Sequence, residues 1–323
     1  MNPIAHSRSS VASRQEGWRK QRIGELGLGA VLVIGVATTL AACGSVTPSA
    51  TPDVASSPQT ASQVSTIVPL PRGVISAGQV QPNGTVWVLS GDPVVKTLSQ
   101  IDISSKKTSQ STGVSSDAEA VAQSSTGLIA LGIGTSNTGA IQFLNGSSAA
   151  VTGTVAVGAP VRALAFGADG VTLYVLDGTT TSASVTVINT STEKVVSTIG
   201  VPTDAIDVVP DPTQTSIWTV EQSGNVQQTS LQSTKPIQQF AIGEPGISLA
   251  IAPNGGILYV LKGNQEISNI DVVSTGTDDI ERVVGAAASS VGLVPSISGA
   301  TLYDLVGSPN VGNIQAISLA SGG

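Results

Sequence analysis

Among the residue types that carry nucleophilic, redox or metal chemistry, the 323-residue chain holds one cysteine, Cys43, and one histidine, His6. Both precede residue 44, so a fold built from the remainder has neither imidazole nor thiol. Ser-His-Asp and Cys-His nucleophilic catalysis are excluded there, because both use an imidazole as base. Zinc, copper and haem sites built on His or Cys fall on the same ground. One cysteine cannot form an intrachain disulfide. What remains for chemistry is a scatter of charged side chains: Arg72, Asp92, Asp117, Glu119, Arg162, Asp177, Asp204, Glu221, Glu244 and Lys262. Carboxylates of this kind suit a hard cation or a cationic ligand. No two of these acids have a spacing that forces them together, so an acid–base pair is not indicated.

Cys43 gains meaning from what precedes it. The uncharged run LGLGAVLVIGVATTLAA, residues 26–42, follows a leader containing Arg8, Arg14, Arg19, Lys20 and Arg22. As a helix at about 1.5 Å per residue it would span roughly 26 Å, close to a bilayer core. Taken alone it reads as the apolar part of a secretion signal or as a short membrane anchor. Its end, Leu40-Ala41-Ala42-Cys43-Gly44, resembles the lipobox recognised by lipoprotein signal peptidase: an aliphatic residue, two small ones, then the cysteine to be lipidated. The resemblance implies cleavage after Ala42, a diacylglyceryl thioether on Cys43, and attachment to the extracytoplasmic side of a cell membrane. No other cofactor is expected. Two or three acyl chains, at about 0.8 kcal/mol per buried CH₂, hold a protein durably where one does not.

The next stretch, GSVTPSATPDVASSPQTASQ, is rich in Ser, Thr, Pro and Ala with one charge, Asp53. It has no apolar period to bury and reads as a disordered tether. The expected organisation is therefore a signal peptide over 1–42, a lipidated cysteine and tether over 43–63, and a folded domain over 64–323. Of the 14 basic and 21 acidic residues, five and two lie within 1–42, which leaves 9 and 19 beyond it. So acidic a surface does not attract phosphate backbones, and nucleic acid is not an expected partner.

The folded part must be made of short strands. Aromatics are 3% and charged residues 11%, while Gly and β-branched residues abound, a composition that suits strands joined by turns. Residues 161–199 contain four alternating apolar runs, VRALAF, TLYVL, SVTVIN and KVVSTI, separated by turn residues. This describes one four-stranded antiparallel unit. The second run supplies a ruler through Trp87, Ala130, Tyr174, Trp218, Tyr259 and Tyr303, spaced by 43, 44, 44, 41 and 44 residues. Turn pairs precede it at Asn83-Gly84, Thr126-Gly127, Asp169-Gly170, Asn254-Gly255 and Ser298-Gly299; the fourth unit has Pro212-Thr213-Gln214 instead. A second period, at the end of the third run, passes through Asp102, Asn145, Asn189, Ser230, Asp271 and Ser318. These side chains can bond their own backbone, so a turn-forming role is expected.

Repeats of this period predict a β-propeller. Six units account for residues 64–323; a seventh blade is the alternative. VSTIVPL near residue 64 matches a fourth run, and the chain ends on a third, NIQAISL. The N-terminal strand is therefore expected to complete the last blade and close the ring. The aromatic ruler alternates with other apolar residues, which places it between blades rather than in a ligand site.

The unit AFGADGVTLYVLD…VTVINTSTEKVVSTI resembles the YVTN-type repeat of surface-layer-like and lactonase-like propellers, most closely at Leu173-Tyr174-Val175 and Leu258-Tyr259-Val260. The resemblance implies the fold; it says little of function, because propellers host many activities. Loops from strand two to three, and from strand four to the next blade, share one face. The ten charged residues named above are expected there, seven acids against three bases. The expected function is a binding or scaffold module for an envelope protein or glycan, and not an enzyme. A lactonase-like or metal-assisted hydrolase on that face is the alternative, and it would have to run on carboxylates and Arg162.

Overall fold

Alternating apolar runs bounded by turn residues become strands, and all regular structure in the described residues is β. The computed structural model describes residues 64–70, 73–135, 137–264, 266–307 and 312–319. The expected signal peptide, Cys43 and the tether lie outside the described residues, as does Arg72.

The strands form six sheets of four antiparallel strands, and the first, β1 (Val64–Leu70), belongs to the last of these sheets. Blade 1 is β2 (Val74–Ala77), β3 (Thr85–Gly91), β4 (Lys96–Asp102) and β5 (Lys107–Val114). Blade 2 is β6 (Ala118–Gln123), β7 (Ile129–Gly134), β8 (Gly139–Leu144) and β9 (Val151–Val157). Blade 3 is β10 (Val161–Phe166), β11 (Thr172–Gly178), β12 (Ala183–Asn189) and β13 (Lys194–Val201). Blade 4 is β14 (Ala205–Pro210), β15 (Ser216–Glu221), β16 (Asn225–Ser230) and β17 (Pro236–Ala241). Blade 5 is β18 (Gly246–Ile251), β19 (Ile257–Gly263), β20 (Ser268–Ser274) and β21 (Ile280–Gly285). Blade 6 is β22 (Ser290–Pro295), β23 (Thr301–Gly307) and β24 (Gly312–Ser318), with β1 as its outer strand. The architecture is a six-bladed β-propeller. The strand from the N-terminal side pairs with the last strand from Val64↔Ile317 to Leu70↔Gly312, the closure expected from the sequence.

The core is divided among the blade junctions. Trp87 packs with Ala118, Val121 and Leu131 of blade 2. Tyr174 packs with Ala205, Val208 and Ile217 of blade 4, and Trp218 with Leu249 and Val260 of blade 5. Tyr259 meets Leu293 and Leu302 of blade 6, and Tyr303 reaches the Val74, Val80 and Val86 cluster of blade 1. Ala130 fills the same place against Val161 and Leu173 of blade 3. Trp87, Ala130 and Trp218 are fully buried, whereas Tyr303 is half-buried. Each large aromatic buries well over 100 Å² and joins one blade to the next.

The turns follow the sequence pattern. Gly84, Gly127, Gly170, Gly255 and Gly299 have φ of 78°, 89°, 67°, 74° and 71°. In blade 4, Gln214 takes the same conformation at φ 55°, at a cost that glycine avoids. At the third-strand ends, Asp102 Oδ1 accepts from the Ser104 and Ser105 amides, Asn145 Oδ1 from Ser147 and Ser148, and Asn189 Oδ1 from Thr192. Hydrogen bonding, above all from the Ser104 hydroxyl, holds the Asp102 carboxyl down at about 2. Asp271 does not belong to this series. Its strand runs on to Ser274, which pairs with Ile257 as Asn189 pairs with Thr172. The apolar pair Val272-Val273 extends the strand past Asp271, which is fully buried instead of sitting at a turn.

Each inner strand carries a bulge at the same place, leaving Ile75, Glu119, Arg162, Ile206, Ile247 and Val291 outside the ladder. The four aliphatic residues among them turn into the junction cores, as a bulge re-aims a side chain.

Ring closure gives a direct test. Val68 and Leu70 are buried in the junction of blades 6 and 1, together about 4 kcal/mol of transfer free energy. A chain starting at residue 73 should melt about 10 °C below one starting at residue 59. Equal melting temperatures would show that β1 does not hold the ring shut.

Candidate functional site

The antiparallel order puts the loops after the second strand and after the fourth strand of each blade on one face. The structure places the nine described candidates at or near this face, in three different settings.

Asp92, in the loop between β3 and β4, accepts hydrogen bonds from the Val94 and Val95 amides at 2.8 Å each. Asp117 and Glu244 sit exposed in the loops that enter blades 2 and 5. Asp204, half-buried in the loop entering blade 4, accepts from the Ser223 amide at 3.1 Å. These side chains form an acidic rim.

Asp177, Glu221 and Lys262 occupy one register position, the partner of the first inner-strand residue in blades 3, 4 and 5. They are internal. Asp177 is buried and accepts from Ser184 Oγ at 2.7 Å and Thr186 Oγ1 at 3.3 Å. Burial pushes its carboxyl up, against those two bonds and the Arg162 charge. Glu221 is also buried and accepts from Ser223 Oγ and the Asn225 amide group. Asp177, Asp204 and Glu221 do not converge: among the described residues no three His, Cys, Asp or Glu side chains form a metal-holding group.

The bases are engaged as clamps between backbone segments. Arg162, aimed sideways by its bulge, donates to Thr203 O at 2.8 Å, to Ala205 O at 2.7 Å and to Thr179 O. Burial draws its guanidinium below the ordinary value, with Asp177 and Asp204 opposing. Lys262 donates to Ile242 O at 2.9 Å and pairs with Asp271 at 2.7 Å. Burial raises the Asp271 carboxyl, while Lys262 counters it.

Several polar residues here were not anticipated. Lys96 is buried, donates to Ala118 O, and pairs with Glu119 Oε1 at 3.0 Å. It opens the third strand of its blade, where the other blades have Gly139, Ala183, Asn225, Ser268 and Gly312, so comparing units at that place would have exposed it. Asp207, third in its inner strand, bridges to blade 5 through the Leu249 amide at 2.9 Å and Ser248 Oγ at 2.7 Å. Ser76 and Ser248 stand at the same place, reaching the Val121 and Leu293 amides. These bonds satisfy inner-edge amides that strand pairing leaves open. Asp304 is fully buried in β23; its Oδ2 accepts from the Ala287 amide at 3.0 Å and Ser290 Oγ at 2.9 Å. Its Oδ1 has no partner, and burial pushes its carboxyl up.

Two shallow concavities among the described residues both lie on the opposite face. One of about 310 Å³ joins blades 6 and 1 beside Tyr303. One of about 760 Å³ joins blades 1 and 2.

No protein-family model matches the sequence, and no curated protein matches it. Solved structures do match the fold. The chain is similar to a hydrazine synthase structure from Kuenenia stuttgartiensis at a TM-score of 0.61 and 14% identity, over 76% of this chain and 84% of that one. It is similar to the structure of U3-55K at a TM-score of 0.60 and 14% identity, over 78% and 98%. At these identities the likeness shows the propeller fold alone.

Two predictions separate clamps from rim. Arg162→Met strips donors from three carbonyls, so it should destabilise by about 3 kcal/mol in denaturant unfolding. Asp117→Asn on the rim should change stability by less than about 0.5 kcal/mol. For Asp304, the raised folded-state pKa means its protonated form favours folding. That contribution is present below the unfolded pKa and is lost as pH rises through the folded one. As pH rises above about 4, the ordinary aspartate value, Asp304→Asn should therefore gain stability relative to the parent until the folded-state carboxyl has ionised. Parallel stability profiles would show that the carboxyl is not perturbed.

Proposed function

We propose that this chain is an exported lipoprotein, held on the extracytoplasmic side of a cell membrane by lipid on Cys43, whose propeller is a non-catalytic binding platform. The lipobox-like Leu40-Ala41-Ala42-Cys43 at the end of an uncharged run supports the anchor. The YVTN-like repeat agrees with a propeller carried outside the cytoplasm. The observation that carries the platform reading is the division of labour on the loop face. Lys96, Arg162 and Lys262 are consumed in clamps, while Asp117 and Glu244 point outward.

A rim of this sign favours a cationic partner, such as a basic segment of an envelope protein. Such an interaction is steered by charge and weakens as salt shortens the Debye length.

Intact-mass measurement of membrane-extracted protein tests the anchor. The expected mass is that of residues 43–323 plus acyl chains, and Cys43→Ala should lose both cleavage and lipid. An unprocessed full-length mass would overturn the lipoprotein reading. For the platform, pull-down from uncrosslinked, detergent-extracted membranes should enrich a partner at low salt that is released at about 0.5 M salt, where the Debye length is only about 4 Å. Repeated failure to enrich one would count against it.

A further inference from the structure

We propose that the groove between blades 1 and 2, on the face opposite the acidic rim, is a binding site for a neutral oligosaccharide. The groove is open to solvent along its length and has a volume of about 760 Å³. It is walled by turns of both blades, and none of its lining side chains is charged or aromatic. Its polar surface is carboxamides and hydroxyls.

The orientation of those carboxamides is set by the fold. Asn83 Oδ1 is occupied by the Thr85 amide and hydroxyl, at 3.1 and 2.8 Å. Asn145 Oδ1 is occupied by the Ser147 amide at 2.9 Å. Gln100 Oε1 accepts from Ser109 Oγ at 2.8 Å. Each turn or strand thus takes the oxygen and leaves the NH₂ group as an unused donor along the groove. On the floor, Gln123 is 4% exposed and its Oε1 has no hydrogen-bond partner. Gly78 backs onto it so closely that a Cβ there would lie 2.8 Å from the Gln123 Cβ. Gln123 also lines the groove, so the partner that its buried Oε1 lacks can be supplied there once its carboxamide turns outward.

The site offers several fixed donors and one unmet buried acceptor, without a charge. A buried polar atom left unpaired costs about 1–3 kcal/mol, which a ligand's donor recovers. An ionic ligand would find no counter-charge, and an apolar one would leave the carboxamides unpaired. Hydroxyl groups, each both donor and acceptor, match this set. Sugar rings present them at short, rigid spacing.

The experiment titrates chitotriose and maltotriose into the full chain in a sugar-free detergent, followed by ligand-observed NMR and calorimetry. At least one should bind saturably, and equally at low and high salt. Gln123→Leu should weaken binding at least tenfold. Asn145→Asp keeps the oxygen that caps its turn and replaces the outward NH₂, so it should weaken binding several-fold without lowering the melting temperature. That second variant decides the matter where Gln123→Leu fails to fold. Absence of binding by both sugars, undiminished binding by Asn145→Asp, or binding that salt abolishes would each overturn the proposal. Because the acidic-rim interaction is salt-sensitive and lies on the other face, the two can fail separately.

Discussion

A four-stranded blade cannot stand alone, and everything else in this molecule follows from that constraint. Both faces of its second strand are apolar, as in Leu173-Tyr174-Val175-Leu176, all buried, and its inner strand has an edge without a neighbour. Burial of about 25 cal/mol per Å² of apolar surface is available only against another blade. Six junction cores meet this need in a ring, and the β1–β24 ladder fastens the ring where the chain would otherwise leave it open. Glycine recurs at the turns before the second strands because the backbone there has positive φ. Stability resides in the junctions, so the turns need only reverse the chain.

The same constraint assigns the charges. At the loop face, backbone carbonyls at the edge of one blade approach basic side chains of its neighbour. Lys96, Arg162 and Lys262 reach into these places and satisfy carbonyls of loops that would otherwise be loosely held. A buried cation is costly unless paired, and each has an acid close by: Glu119 and Asp271 in direct ion pairs, Asp177 and Asp204 acting on Arg162 through their charge. Counted as charges these residues resemble a binding site, yet they are the bolts of the scaffold. The bulge at Arg162 and Glu119 shows how the placement is made: one extra residue in the inner strand redirects the side chain that follows the ring.

The two faces of the propeller consequently differ in chemistry. One presents outward-pointing carboxylates over a clamped base. The other presents neutral carboxamides around a groove lined by Gln123, whose buried Oε1 lacks a partner. The two proposed sites share no side chain, so each can be altered without touching the other.

The sequence by itself determined the strand order and the closure and favoured six blades over seven, because these depend on local alternation and on a repeated period; the structure settles six. Tyr174 and Trp218 were legible as junction residues from their alternation with Leu and Val alone. The glycine turns were legible too, and even Gln214 obeys the turn that its unit lacks a glycine to form. Asp271 escapes the turn-forming period because its strand continues through Val272-Val273, and no local rule says where an apolar run stops. What only the tertiary structure decided is which charges are spent. Arg162 finds its carbonyls in blade 4, 41 and 43 residues away, and in its own loop 17 residues away. Asp207 finds its amide 42 residues on. Such contacts arise from the packing of one blade on the next, and periodicity fixes the spacing of the blades but not the chemistry that meets between them.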